Sequence, residues 1–201
     1  MRIKSVQNLD NSYSAAEALN LGWEQSDTDL VVFCHEDVEF PVEWISRVDR
    51  ATHKLEAGGG PPSWGVLGPV GRLGKQFAGF YGDDVTAVRY GPLPGQVDTL
   101  DELCMIVRRD LDLRFDESLG GFHLYGADLA MQCTEHGLEN YAIDAFVWHH
   151  TSSRGSYSRP AEYHRIRLRL QRKWRWRRKR LGKRIGTTCG QVHFGWRHGW
   201  F

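Results

Sequence analysis

Leu30-Val31-Val32-Phe33-Cys34-His35-Glu36-Asp37-Val38 is the stretch on which the reading of this chain turns. Its first five residues are a short apolar run of the kind that forms a buried strand. The run then stops in an imidazole and two carboxylates. In α/β folds, ligands sit in the crevice beyond the carboxyl ends of the strands. His35 and Asp37 are two residues apart, so on an extended chain they point the same way. One imidazole and one carboxylate facing a crevice suit a divalent cation beside an anionic ligand. The simpler alternative is a strand followed by a solvated turn, and the tripeptide alone does not separate the two.

Working outward, Arg2 to Leu9 reads as a short edge strand. Ser14 is placed to cap a helix, with Glu17 at the reciprocal position of a capping box. Pro41 suits a first helical turn. Trp44, Val48, Ala51 and Leu55 then recur at helical spacing, which predicts an amphipathic helix over 41–57. Gly58-Gly59-Gly60-Pro61-Pro62 ends it. Trp64 to Gly68 reads as a strand, the Gly-rich stretch 68–95 as short strands and loops, and Leu103 to Val107 as a strand closing on Arg108-Arg109. Asp116-Glu117 and His123 lie in a loop. Leu124 to His136 has helical periodicity and stops at Gly137. Tyr141 to Trp148 is rich in strand formers and ends at His149-His150.

The chain has 201 residues, 41% hydrophobic, with 8 Trp, 7 Tyr and 9 Phe. That suffices for one domain with a real core, or one domain and an appendage. No apolar run approaches 18 residues, so no spanning helix is predicted, and Met1 to Asp10 lacks the apolar stretch of a signal peptide. The cysteines, Cys34, Cys104, Cys133 and Cys189, form no C-x-x-C pair. This favours reduced thiols in a cytoplasmic setting, with the first three in the core. The net charge of +1 hides a strong polarity. Residues 1–150 carry 11 Lys and Arg against 24 Asp and Glu, a net −13; residues 151–201 carry 15 against one, a net +14. The composition changes near 158, dividing the chain into 1–158 and a basic tail, 159–201.

In order, these pieces resemble the family 2-like glycosyltransferases of GT-A fold. The resemblance runs through Ala18-Leu19-Asn20-Leu21-Gly22, Val32 to Val38, Trp64 to Gly68 and Val97-Asp98-Thr99-Leu100-Asp101. It continues through Val107-Arg108-Arg109, Arg114-Phe115-Asp116-Glu117, His123 to Leu129, Glu135-His136-Gly137 and His149-His150-Thr151-Ser152. It covers roughly residues 15–153 and implies an α/β fold: a GT-A-like mixed sheet flanked by helices, abbreviated at its start, where family members carry a further strand-helix-strand unit. It also implies roles. His35 and Asp37 stand at the metal and sugar-nucleotide motif, with Asp37 as the metal-binding carboxylate. Asp98 and Asp101 precede the strand lining the donor sugar. Asp128 stands at the catalytic base, and His149 or His150 at a further metal ligand. The implied reaction is metal-dependent, inverting transfer from a nucleotide-sugar to a hydroxyl acceptor, a glycan or a lipid-linked one, with Mg²⁺ or Mn²⁺.

The chemistry of these residue types agrees. A carboxylate in a partly dry cleft can take the proton of an attacking hydroxyl, and a divalent cation neutralises a leaving diphosphate. Plainer roles also exist: Asp128 beside a helix dipole, His149-His150 as a strand end, Arg108-Arg109 as a salt-bridged one. Two other functions fit the same residues. One is a metallohydrolase built on His35, Asp37, Asp128 and His149 or His150; the other is a non-catalytic scaffold keeping the fold. In the tail, Ile166, Leu170, Trp174, Leu181 and Ile185 form an apolar stripe among Arg and Lys over 159–185. That pattern suits an interfacial helix on the anionic inner face of a membrane, with nucleic-acid phosphates as the alternative partner.

Overall fold

The computed structural model describes residues 12–60, 62–150, 160–177 and 182–194. The strand expected over Arg2–Leu9 lies outside them, as do Thr151, Ser152 and Leu181.

Helix α1 (Ala15–Glu24) begins as its sequence dictates. The Ser14 side chain accepts from the Glu17 N–H and Glu17 reaches back to the Ser14 N–H. Strands β1 (Leu30–Cys34) and β2 (Val38–Glu39) follow, separated by a turn through Glu36 and Asp37. Helix α2 (Trp44–Glu56) turns Trp44, Val48 and Ala51 inward. Next come β3 (Trp64–Gly68), β4 (Val70–Leu73), β5 (Gln76–Gly82), β6 (Ala87–Tyr90), β7 (Gly95–Val97), β8 (Thr99–Leu100) and β9 (Cys104–Arg108). Gly74, at φ +56°, makes the two-residue β4–β5 turn that a side chain would strain. Helix α3 (Tyr125–Glu135), β10 (Glu139–Ala142), β11 (Trp148–His149), helix α4 (Pro160–Arg177) and a hairpin of β12 (Arg184–Thr187) and β13 (Gly190–His193) complete the order.

The principal sheet runs β1-β9-β3-β10-β7 and is mixed: β3 and β10 are parallel, the other pairs antiparallel. Alternation along β9 shows why it is central. Met105 and Val107 join Trp23, Phe33, Leu129 and Cys133 under α1 and α3, while Cys104 and Ile106 join Trp44, Val48 and Ala51 under α2. The result is a three-layer α/β arrangement. A second sheet, β2-β11-β5-β4-β8 with β6 on β5, lies along its edge.

Three expectations change. The stretch 141–148 is two short strands in two different sheets, β10 and β11, not one. Cys34 is exposed rather than buried; all four cysteines are free thiols. The tail, finally, is not an appendage. Ile166, Leu170 and Trp174 of α4 and Ile185 of β12 form a third core with Leu119, Leu124, Ala127 and Met131. Ile185 therefore belongs to a strand, and the stripe read as membrane-facing is occupied by the protein's own α3. Burying α3 on both sides explains why Tyr125 to Met131 are all buried. The charge step near 158 is a change in surface composition, not a gap in packing. No described helix is long and apolar enough to cross a membrane.

Candidate metal centre

His35, Asp37 and His149 converge where the principal sheet hands over to the second. The backbone of His35 is held by the residue preceding β9, its N–H donating to the Leu103 carbonyl at 3.0 Å. The turn that follows carries Asp37 round to β2. Pairing of β2 with β11 sets His149 opposite Val38, and the His150 N–H donates to the Asp37 carbonyl at 2.8 Å. So the turn and the β2–β11 pairing, rather than strand alternation, bring the three side chains together.

Their ligand atoms all lie within 4.8 Å of one another. His35 Nδ1 is 3.4 Å from His149 Nε2, which is 3.2 Å from Asp37 Oδ1. Atoms bound to one ion at about 2.0–2.2 Å sit roughly 3–3.5 Å apart, so the two spacings to His149 Nε2 suit a shared ion. Asp37 Oδ1 is buried yet accepts no aligned hydrogen bond. A buried anionic oxygen without a donor is costly, and a cation is the partner that would relieve it. Among the described residues this is the one such His/Cys/Asp/Glu group.

The surroundings favour ligation. Burial, helped by His149, lowers the pKa of His35 against the opposing pull of Asp101, Asp37 and Glu36. The ring is therefore neutral and keeps a lone pair. Tyr125 Oη is 3.4 Å from His35 Nε2; with Nε2–H donating to that oxygen, Nδ1 faces the other two ligands. Tyr125 is set by an aromatic column: Trp23 stacks on Phe33 at 5.4 Å, Phe33 meets Phe115 edge-on at 4.9 Å, and Phe115 meets Tyr125 at 5.9 Å. Leu124, just before it, has φ +61°, a left-handed conformation costing about 1–2 kcal/mol for a non-glycine residue. The buried Leu124 side chain in the third core holds that conformation.

Glu102 lies at the N-terminus of α3, where its Oε1 accepts the Gly126 N–H at 3.0 Å. Burial, reinforced by the neighbouring Asp101, pushes its carboxyl up to about 8 despite the backbone donors of Gly126, Ala127 and Leu124. Neither Tyr125 nor Glu102 was singled out in the sequence. Tyr125 read only as one apolar position of a helix, and Glu102 carried no local signal.

The other expected site residues are placed as follows. Asp101, half-buried, accepts the Leu103 N–H at 3.0 Å and acts electrostatically on His35. Asp98 is engaged elsewhere: its Oδ2 accepts the N–H groups of Gly74 at 2.8 Å and Gly186 at 2.7 Å, tying β12 to the β4–β5 turn. His150 points away from the cluster, to Glu39 at 2.9 Å and Asp84 at 3.2 Å; that pairing raises its pKa. Arg108 is a salt-bridged strand end, 2.6 Å from Asp110. Asp128 departs furthest from expectation. It is 0% exposed. Its Oδ1 accepts Trp174 Nε1 at 2.7 Å, and its Oδ2 accepts Lys173 Nζ at 2.7 Å and Gln132 Nε2 at 2.9 Å. Burial raises its pKa, opposed by Lys173 and the other donors. Helix α4 thus closes over the carboxylate expected to serve as catalytic base, supplying two of its three hydrogen-bond donors.

No family model matches the chain. A protein of Fuscovulum blasticum described as ATP synthase subunits region ORF 6 is 30% identical over 182 residues, covering 85% of this chain and 68% of that one. Among solved structures, the mannosyltransferase PcManGT from Pyrobaculum calidifontis, in complex with GDP-Man and Mn²⁺, is similar at a TM-score of 0.46 and 16% identity. That similarity covers 82% of this chain, which spans 42% of the mannosyltransferase.

Proposed function

The chain belongs to the family of the Fuscovulum blasticum ORF 6 protein, and we propose that it is a metal-dependent glycosyltransferase using a nucleotide-sugar donor. The observation that carries this reading is the convergence of His35, Asp37 and His149 beside the strand end, with Asp37 Oδ1 buried and accepting no aligned hydrogen bond. The ordered sequence resemblance over residues 15–153 supports it. Two imidazoles and one carboxylate suit Mn²⁺ better than Mg²⁺, which prefers oxygen ligands. When bound, the ion would supply charge neutralisation to a leaving nucleoside diphosphate.

The chain's own residues do the rest. Tyr125 orients His35. Asp101 adds negative potential that favours the cation. Asp128 anchors α4 in this reading.

A second reading has its own observation. Two histidines and one carboxylate on one tight centre, with positions left open, also match hydrolytic metal sites. One experiment separates the two. The wild type, Asp37→Ala and His149→Ala are titrated with Mn²⁺, then incubated with UDP- and GDP-sugars, with and without glycan or polyprenyl-phosphate acceptors. Acceptor-dependent release of nucleoside diphosphate, lost in both variants, supports the transferase. Release indifferent to acceptors supports the hydrolase. Mn²⁺ binding equal in all three proteins would overturn both.

A further inference from the structure

A cavity of about 360 Å³ opens between α4 and the loop before α3, lined by Asp116, Ser118, Leu119, Arg169, Arg172 and Lys173. Its charges are not equivalent. Lys173 Nζ lies 2.7 Å from both Asp116 Oδ2 and Asp128 Oδ2, so two carboxylates already balance it. Arg169 and Arg172 face no such carboxylate in the lining. They are three residues apart on α4 and so share one side of the helix. Arg169 gives one Nη1 hydrogen bond to the Leu119 carbonyl, at 2.6 Å, which fixes its stem and leaves further guanidinium donors. Arg172 is exposed at the cavity mouth. Two guanidinium groups on one side of the helix, one of them pre-positioned, can each offer the forked pair of N–H donors that suits a phosphate.

The residues lining the cavity from the loop before α3 offer acceptors for hydroxyls. Asp116 Oδ1 accepts the Ser118 N–H at 2.9 Å and the Ser118 hydroxyl at 2.6 Å. Burial works upward on the Asp116 carboxyl, but Lys173 and Ser118 outweigh it and hold it below its usual range, so it stays an acceptor. The Ser118 oxygen retains lone pairs that a ligand hydroxyl can reach. A bare anion would gain from the arginines and lose against Asp116. A ligand carrying both a phosphate and hydroxyls gains from both sets of residues, and the volume suits a single sugar ring with its phosphate.

We propose that this cavity binds a phosphorylated sugar or polyol, its phosphate on Arg169 and Arg172 and its hydroxyls at Asp116 and Ser118. The proposal does not rest on the metal centre, whose residues take no part in the cavity. The phosphate could be borne by a soluble metabolite or by a lipid headgroup, and the test has an arm for each.

Calorimetry in chelator compares glucose 6-phosphate, inorganic phosphate and glucose, using the wild type, Arg172→Gln, Ser118→Ala and Asp37→Ala. Co-sedimentation compares phosphatidylcholine vesicles with and without phosphatidylinositol. The expected result is binding of glucose 6-phosphate over both of its parts, weakened roughly tenfold or more in Arg172→Gln, weakened less in Ser118→Ala, and unchanged in Asp37→Ala. Binding confined to phosphatidylinositol vesicles and lost in Arg172→Gln keeps the site and assigns the phosphate to a lipid. Inorganic phosphate binding as tightly as glucose 6-phosphate would overturn the hydroxyl contacts. Equal affinity in Arg172→Gln, loss of affinity in Asp37→Ala, or no binding in either arm would overturn the site.

Discussion

Replacing Asp128 by Asn should unfold the protein more readily without touching the metal centre. Three donors converge on the two Asp128 oxygens: Trp174 Nε1 on one, Lys173 Nζ and Gln132 Nε2 on the other. Asn keeps a single acceptor oxygen. If that oxygen serves Trp174, the new amide N–H₂ faces an ammonium and another amide N–H₂. The interactions with Lys173 and Gln132 are then both lost, the one with the ammonium worth about 1.5–3 kcal/mol. Two features moderate the loss. Lys173 keeps Asp116 at 2.7 Å, so its charge is not stranded, and removing a fully buried carboxylate relieves the desolvation that raises its pKa. The net expectation is about 2 kcal/mol. Asp128→Ala should cost about 3–4 kcal/mol, because the indole N–H of Trp174 is then buried without an acceptor. Urea unfolding followed by tryptophan fluorescence reads both values, and a double-mutant cycle with Lys173→Met should show coupling above 1 kcal/mol. An Asp128→Asn protein as stable as wild type within about 0.5 kcal/mol, but without turnover, would refute the anchoring role and return Asp128 to the chemistry.

Further outcomes follow from the same geometry. Saturating Mn²⁺ should raise the thermal midpoint of the wild type and leave Asp37→Ala unmoved, since an ion stabilises only a state that binds it; equal shifts would refute the His35-Asp37-His149 assignment. The Glu102 carboxyl is raised from 4.5 to about 8 in the folded protein. Its contribution to stability is therefore full below pH 4.5 and lost as pH rises through 8, with a slope of at most about 1.4 kcal/mol per pH unit. Glu102→Gln should flatten that slope in urea unfolding at pH 5, 6.5 and 8. Gly126→Ala places a Cβ 2.6 Å from Met105 Sδ and 2.8 Å from Glu102 Cγ; the overpacking should cost about 1–3 kcal/mol, measured the same way. Because Leu170 and Trp174 are buried against α3, any binding to phosphatidylglycerol vesicles should be electrostatic and vanish at high salt. Binding that survives 1 M salt would show α4 leaving its core.

Much of this protein is written in its local sequence. The Ser14–Glu17 box starts α1, and the spacing of Trp44, Val48 and Ala51 makes α2. The run Leu30–Cys34 makes a strand ending in potential ligands. Each of these signals acts between neighbours a few residues apart, so one-dimensional pattern suffices to read it. His35 and Asp37 were legible for the same reason, as polar residues closing an apolar strand.

What the tertiary structure decided are the partnerships across long separations. His149 rather than His150 reaches the cluster, because β11 pairs with β2 in a register that sets His149 beside Val38 and turns His150 out to Glu39 and Asp84. Tyr125 and Glu102 matter through an aromatic column and a helix terminus that no sequence period encodes. The stripe of α4 was legible as apolar, but periodicity says only that a face is covered, not by what. A membrane and the flank of α3 satisfy the same pattern, and only packing shows that α3 occupies it. With that packing comes the fate of Asp128. A carboxylate near the start of a helix reads the same whether it faces a substrate or a lysine 45 residues away, and the fold placed Lys173 and Trp174 over it.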